Sequence, residues 1–262
     1  SWGGVQFFII PIGIFILTLP FLRKDHKFLS WSVPIFVTSF LLTTISFERP
    51  GISFIYGLGG LSLIIPTGFL ISCIFVQKIS KPENKTRNGL ILLAAILIIG
   101  SSLLVINAET NFLPLPSFRY LNAINPFLIT SDPLVDSVSE HATTNIQESF
   151  FFHSILMIFA GLGIWIIFSK KNTQATYLIK NEMMSFALII GLIGVYVSSA
   201  FIRLELFSSI SIIILSSIGL SIITKEIFNH KPSFGNRINL TKISYLTIIV
   251  ILIVIPITLP VN

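Results

Sequence analysis

The chain has 262 residues, of which 53% are hydrophobic and only 11% charged, with a mean hydropathy of +0.90. A water-soluble domain of this length does not need so much apolar sequence for its core, so lipid is its main solvent. The net charge of +6 does not point to nucleic acid, because the basic residues sit in short blocks between apolar runs, and the single cysteine, Cys73, excludes an internal disulfide framework.

A spanning helix needs about 20 mostly apolar residues, because unpaired peptide groups are costly in hydrocarbon and only helices or closed barrels avoid them. The long, non-alternating runs favour helices and predict eight spans, over residues 3–22, 30–47, 53–76, 88–107, 150–168, 183–201, 207–224 and 243–260. The first opens without the basic region and cleavage site of a signal peptide, so the chain is expected to be a fragment cut at both ends. Pro11, Pro34 and Pro66 fall within spans and predict kinks. Gly57, Gly59 and Gly60 lie in an apolar run and read as allowing close helix packing rather than as a phosphate loop.

The connections carry Lys and Arg unevenly. In chain order they hold Arg23, Lys24 and Lys27; Arg49; Lys78, Lys81, Lys85 and Arg87; Arg119; Lys170, Lys171 and Lys180; Arg203; and Lys225, Lys231, Arg237 and Lys242. The rich and poor loops alternate without exception, as the positive-inside rule requires when every second loop is cytoplasmic. Both chain ends then lie outside, and the Asn-x-Thr triplets at Asn84 and Asn239 fall in cytoplasmic loops.

One connection is far longer than helical bundles usually need: the external segment 108–149. It holds Phe112, Phe118, Tyr120 and Phe127, prolines at 114, 116, 126 and 133, and five of the 11 acidic residues: Glu109, Asp132, Asp136, Glu140 and Glu148. Aromatics and prolines suit a segment packed on the outer membrane face. The acids give it chemistry that the spans lack.

Transporters and pumps place ionisable groups at the bilayer midplane, and these spans hold almost none. His153 stands near the start of one and Glu182 at the edge of another. His153 reads first as an interface residue with a structural hydrogen bond, and second as a ligand or relay. No metal-ligand spacing, Ser/His/Asp set or paired-carboxylate spacing is present. Arg203 and Glu205 occupy a very short external turn and, two residues apart, make a poor intrahelical pair. Arg203 is therefore either a side chain snorkelling into the headgroups or a phosphate clamp, for which its fork of donors is suited.

At residues 132–141 the sequence reads Asp-Pro-Leu-Val-Asp-Ser-Val-Ser-Glu-His, followed by Phe150, Phe151, Phe152 and His153. This resembles the external loop of archaeal and eukaryotic oligosaccharyltransferase catalytic subunits, whose hallmark is Ser-Val-Ser-Glu-His and then an aromatic run opening the next helix. Ser1-Trp2-Gly3-Gly4, the cluster Phe118-Arg119-Tyr120 and Arg203-Leu204 resemble further points of the same family, in the same order and spacing. Members have about thirteen spans, with the motif loop between the ninth and tenth. The eight spans read here correspond to the sixth through the thirteenth, and the resemblance covers nearly the whole chain.

The resemblance implies an all-α, polytopic transmembrane bundle of the GT-C glycosyltransferase type, with residues 1–262 forming a partial transmembrane domain. It implies transfer of an oligosaccharide from a lipid phosphate or pyrophosphate carrier to Asn of Asn-x-Ser/Thr in an acceptor polypeptide, with inversion and with Mn2+ or Mg2+. By carry-over, Ser137, Val138, Ser139, Glu140 and His141 form the acceptor-loop motif, Glu140 is the catalytic carboxylate, and Arg203 binds the donor's phosphate. The role of His141 stays open between ordering the loop and direct contact. Asp132 and Asp136 read as solvated acids before metal ligands, and Trp2 either lines the donor groove or anchors the interface.

The family's metal-holding acids and its soluble domain with a Trp-Trp-Asp motif have no counterpart in this sequence, so no metal ligand is expected here and these residues alone are expected to be inactive. Ala142, Thr143 and Thr144 replace the Gln-Pro common in eukaryotes, which favours an archaeal cell membrane over the endoplasmic reticulum. A transporter or channel with a gating loop, and a non-catalytic assembly subunit, are the competing readings.

Overall fold

Helix ends leave backbone groups without intrahelical partners, and local side chains decide where each apolar run starts and stops. The computed structural model of the protein describes residues 6–23, 25–48, 51–110, 125, 153, 155–168, 181–200, 205–229 and 243–251. Regular structure among them is entirely helical, without strands. They fall into two compact units, one formed by residues 1–143 and 200–204, the other by 144–199 and 205–262.

In the first unit, α1 (Gln6–Leu22) is followed by α2 (His26–Ile45). The Asp25 carboxylate accepts the Phe28 amide N–H at 3.0 Å, so α2 begins at His26 rather than at 30: a capping side chain lengthens the helix beyond its apolar pattern. In the same turn the Arg23 guanidinium lies 4.6 Å from the Phe28 ring centroid, a cation–π contact that closes the hairpin.

The span predicted over 53–76 is two helices. Short α3 (Ser53–Tyr56) ends at Gly57, whose extended backbone separates it from α4 (Leu58–Ile79). The reason lies in the other two glycines. A Cβ on Gly59 would stand 2.6 Å from the Phe54 ring, and one on Gly60 would stand 2.6 Å from the Ile55 carbonyl oxygen. The glycine cluster thus allows the close helix packing expected of it, by letting α3 fold back on the first turn of α4.

Helix α4 packs against α1, α2, α3 and α5 (Lys85–Thr110). Ile9 and Ile16 of α1, Leu29, Val33 and Val37 of α2, Phe54, and Leu63 and Leu70 of α4 belong to one buried cluster, at spacings of four and seven that keep one helix face inward. Pro66 lacks the N–H that would bond the Ser62 carbonyl, and Gly13 of α1 sits directly on that oxygen, where any Cβ would collide. Helices α1, α2 and α4 continue through their prolines, which include Pro20 as well as the three expected.

After a single 3-10 turn, Pro82–Asn84, α5 runs from 85 to 110, longer than the expected 88–107. It meets α4 at Gly89, where a Cβ would lie 3.0 Å from Cys73 Sγ. Most of its remaining surface, including Leu97, Ile98, Ile99 and Leu103, is exposed. A helix apolar all round is stable only against lipid or other apolar helices.

The second unit holds α6 (Ile155–Phe168, with His153 also helical), α7 (Asn181–Ala200), α8 (Glu205–Asn229) and the helical stretch 243–251. Helices α6 and α8 cross where Gly163 faces Gly219: a Cβ on either would enter backbone of the other helix. Close backbone approach through small residues is how helices associate in lipid, where no hydrophobic force drives them together. His153 meets Ser208 and Ser209 at the helix starts, and Gly163 meets Gly219 further on, so α6 and α8 run parallel. Gly191 packs on Leu215 and Gly194 on Ser211, which makes α7 antiparallel to α8. Thr224 Oγ1 is 2.9 Å from the Tyr245 hydroxyl, joining the 243–251 stretch to α8.

The helices His26–Ile45, Leu58–Ile79, Pro82–Asn107 and Glu205–Lys225 are long and apolar enough to cross a membrane, while Phe8–Leu22, Ile155–Trp165 and Glu182–Tyr196 are shorter apolar helices. These four mark the chain as a membrane protein. Of the span expected at 243–260, the described part ends at 251.

Candidate functional site

Polar side chains buried in apolar bundles must satisfy one another, because neither lipid nor neighbouring leucines offer hydrogen bonds. The second unit contains such a group. His153 is 6% exposed and Ser208 3%. The imidazole Nε2 lies 3.1 Å from both Ser208 Oγ and Ser209 Oγ. Its Nδ1 lies 3.9 Å from Glu205 Oε1, an oxygen that is buried and takes no hydrogen bond.

Local sequence builds one half of this group. Glu205 opens α8, and three and four residues later Ser208 and Ser209 turn back to donate to the Glu205 carbonyl oxygen, at 2.9 and 3.0 Å. Such back-bonding is the usual behaviour of serine in a helix. Each hydroxyl has one proton and two acceptors within reach, the Glu205 carbonyl oxygen and His153 Nε2, so the tautomer of His153 sets which of them it serves.

A serine, an imidazole and a carboxylate suggest nucleophilic catalysis, but Ser208 is buried, and both hydroxyls also lie within hydrogen-bond distance of the Glu205 carbonyl oxygen. The arrangement can hold two helix starts in register.

Among the described residues, cavities lie along α2 and between α1 and α4. One, of about 510 Å3, runs along α2 and is lined by Phe36, Ser39, Phe40, Thr43, Thr44 and Phe47; the other, of about 200 Å3, is lined by apolar residues of α1 and α4 together with Ser62. Neither presents a titratable group. Among the described residues no set of three His, Cys, Asp or Glu side chains comes together to hold a metal ion.

The motif residues Ser137, Val138, Ser139, Glu140 and His141, together with Arg203, Asp132, Asp136 and Trp2, lie outside the described residues. So does the segment 108–149 apart from the end of α5 and Asn125. Sequence reasoning recognised His153 and Glu205 separately and overlooked Ser208 and Ser209. His153 and Ser208 are 55 residues apart in the chain, and no local pattern joins them. The available signal was compositional: two adjacent serines and an acid at the start of an apolar helix. No protein-family model matches the chain, and no curated protein matches it.

Proposed function

We propose that the chain is the membrane part of an oligosaccharyltransferase catalytic subunit of the archaeal type. In this reading it transfers an oligosaccharide from a lipid-linked phosphate or pyrophosphate donor to the side-chain amide of Asn in Asn-x-Ser/Thr. The observation that carries the reading is the Ser137-Val138-Ser139-Glu140-His141 stretch, standing in order between the Phe118-Arg119-Tyr120 cluster and Arg203-Leu204. Further support comes from the alternation of Lys and Arg between loops, which puts the motif and Arg203 on the same, extracytoplasmic side of a cell membrane. The spans then number eight, in a bundle of the GT-C type.

The chemistry asks little of the protein beyond placement and charge. An amide nitrogen is a weak nucleophile because its lone pair is delocalised into the carbonyl. Glu140 accepts hydrogen bonds from the amide N–H groups, reduces that delocalisation and holds the nitrogen in line with the sugar carbon. The nitrogen–carbon bond forms from the face opposite the leaving group, so the sugar carbon inverts, and the carbon–oxygen bond to the phosphate breaks. The phosphate keeps the electron pair, and the nitrogen gives up one proton to the Glu140 carboxylate, which passes it to solvent. Arg203 offsets the growing charge on the departing phosphate through its planar fork of donors. A divalent ion, Mn2+ or Mg2+, is part of the proposed reaction class and would further neutralise that phosphate. The described residues do not assemble a cage for it.

The test is Glu140→Gln in the whole gene product, assayed with a lipid-linked donor and a fluorescent Asn-x-Thr peptide. Loss of transfer with normal membrane insertion is expected. Unchanged transfer removes Glu140 from its central role.

A further inference from the structure

We propose that one end of the first unit binds the headgroups of anionic phospholipids, gripped mainly by the turn between α4 and α5; this stands apart from the oligosaccharyl-transfer reading. Helices α1 and α4 run parallel, since Gly13 sits on the Ser62 carbonyl oxygen and the Phe21 and Phe69 ring centroids are 6.3 Å apart. Gly89 of α5 meets Phe21, Cys73 and Gln77 together. The end of α1, the end of α4 and the start of α5 therefore share one end of the unit, and the short turn after α1 brings the start of α2 to it. That end carries Arg23, Lys27, Lys78, Lys81, Lys85 and Arg87, with Asp25 and Glu83 as its acids. The charged residues described at the opposite end are Glu48 and Glu109, and the described residues between the two ends carry no charge.

The turn has a fixed backbone. Asn88 Nδ2 donates to Ser80 Oγ at 2.8 Å across it, and the Asn84 amide N–H donates to the Lys81 carbonyl oxygen at 2.9 Å. Lys81 and Lys85 thus flank a single 3-10 turn, and they, like Lys78 and Arg87, are exposed. Cations held this close repel one another, and an anion between them relieves the repulsion. Apolar surface begins at once beside them. Ile79, next to Lys78, is 72% exposed, and Leu90 and Ile91, about one helical turn after Arg87, are exposed as well. On α2, Trp31 follows Lys27 by one turn and is 70% exposed, the placement of an aromatic ring at the headgroup level. A soluble phosphate would use the cations alone, whereas a phospholipid sets its phosphate on the cations and its chains on the apolar surface. In the topology that the loop charges predict, this end meets the cytoplasmic leaflet, where anionic lipids concentrate.

The test uses the whole gene product in phosphatidylcholine nanodiscs that contain a trace of spin-labelled phosphatidylglycerol or spin-labelled phosphatidylcholine. Electron paramagnetic resonance reads the fraction of label immobilised on the protein. Phosphatidylglycerol should be preferred by about fivefold or more, the scale of one lysine near a charged lipid. The preference should vanish at about 1 M salt, where the Debye length is about 3 Å. It should fall below about twofold in Lys81→Gln/Lys85→Gln/Arg87→Gln and persist in the charge-keeping Lys81→Arg/Lys85→Arg. Equal retention of the two lipids by the wild-type protein, a readout that needs no variant to insert correctly, overturns the proposal. A preference unchanged in the triple variant overturns it too, because the site then lies elsewhere. Displacement of the labelled lipid by millimolar glycerol 3-phosphate would show a site for free phosphate and reject the lipid as its occupant.

Discussion

His153 Nδ1 stands 3.9 Å from Glu205 Oε1, at the starts of two parallel helices whose residues are otherwise mostly apolar. Truncating one member of such a group leaves the others buried with fewer partners, at a cost of about 1–3 kcal/mol. His153→Ala and Glu205→Ala should each lower stability by that order, and the double variant by clearly less than the sum. A double-mutant cycle on detergent-solubilised protein measures the coupling, expected at about 0.5–3 kcal/mol. Additive losses would mean that the two side chains do not act on each other.

Gly163 and Gly161 give a matched pair on α6. A Cβ at Gly163 would collide with the Leu215 carbonyl oxygen, whereas at Gly161 nothing lies within 4 Å. Gly163→Ala should destabilise by about 1–3 kcal/mol, the range of overpacking. Gly161→Ala should be neutral or stabilising by up to about 1 kcal/mol, through helix propensity alone. Thermal unfolding of the two variants side by side decides this, and equal effects would contradict the crossing.

Much of this architecture was legible from apolar run length alone, since hydrocarbon requires helices of a set length. The errors arose where side chains override that rule. Asp25 caps α2 early. Gly57 breaks a run that composition treats as continuous, while Gly59 and Gly60 provide the close helix packing expected of the cluster, between α3 and α4. The His153 group was out of reach for a different reason: burial pairs it with Ser208, far along the chain, and only the α6–α8 crossing brings them together. The motif at 137–141 was legible only as a resemblance, because nothing in its spacing specifies chemistry.

The charge alternation predicts sidedness. Cysteines introduced for Lys27 and Glu83 should react with a membrane-impermeant maleimide from one face, and those for Glu48 and Asn125 from the other. The native Cys73 is fully buried and should give little background. Labelling of all four positions from the same face would overturn the topology.

If Arg203 grips the donor phosphate as a planar fork, lysine is a poor substitute despite its charge. Arg203→Lys should lower kcat/KM for the lipid-linked donor by about 10-fold to 100-fold, consistent with about 1.5–3 kcal/mol for hydrogen bonds to a charged group, while insertion is unaffected. A snorkelling arginine would tolerate the exchange, and unchanged kinetics would show that role.

The most direct measurement is mass spectrometry of an acceptor peptide incubated with the wild-type gene product, a lipid-linked oligosaccharide and Mn2+ or Mg2+. The account predicts a glycan attached through the side-chain nitrogen of Asn in Asn-x-Thr, and none on a Gln-x-Thr control. An unmodified Asn peptide, with the donor intact and the protein correctly inserted, would contradict it.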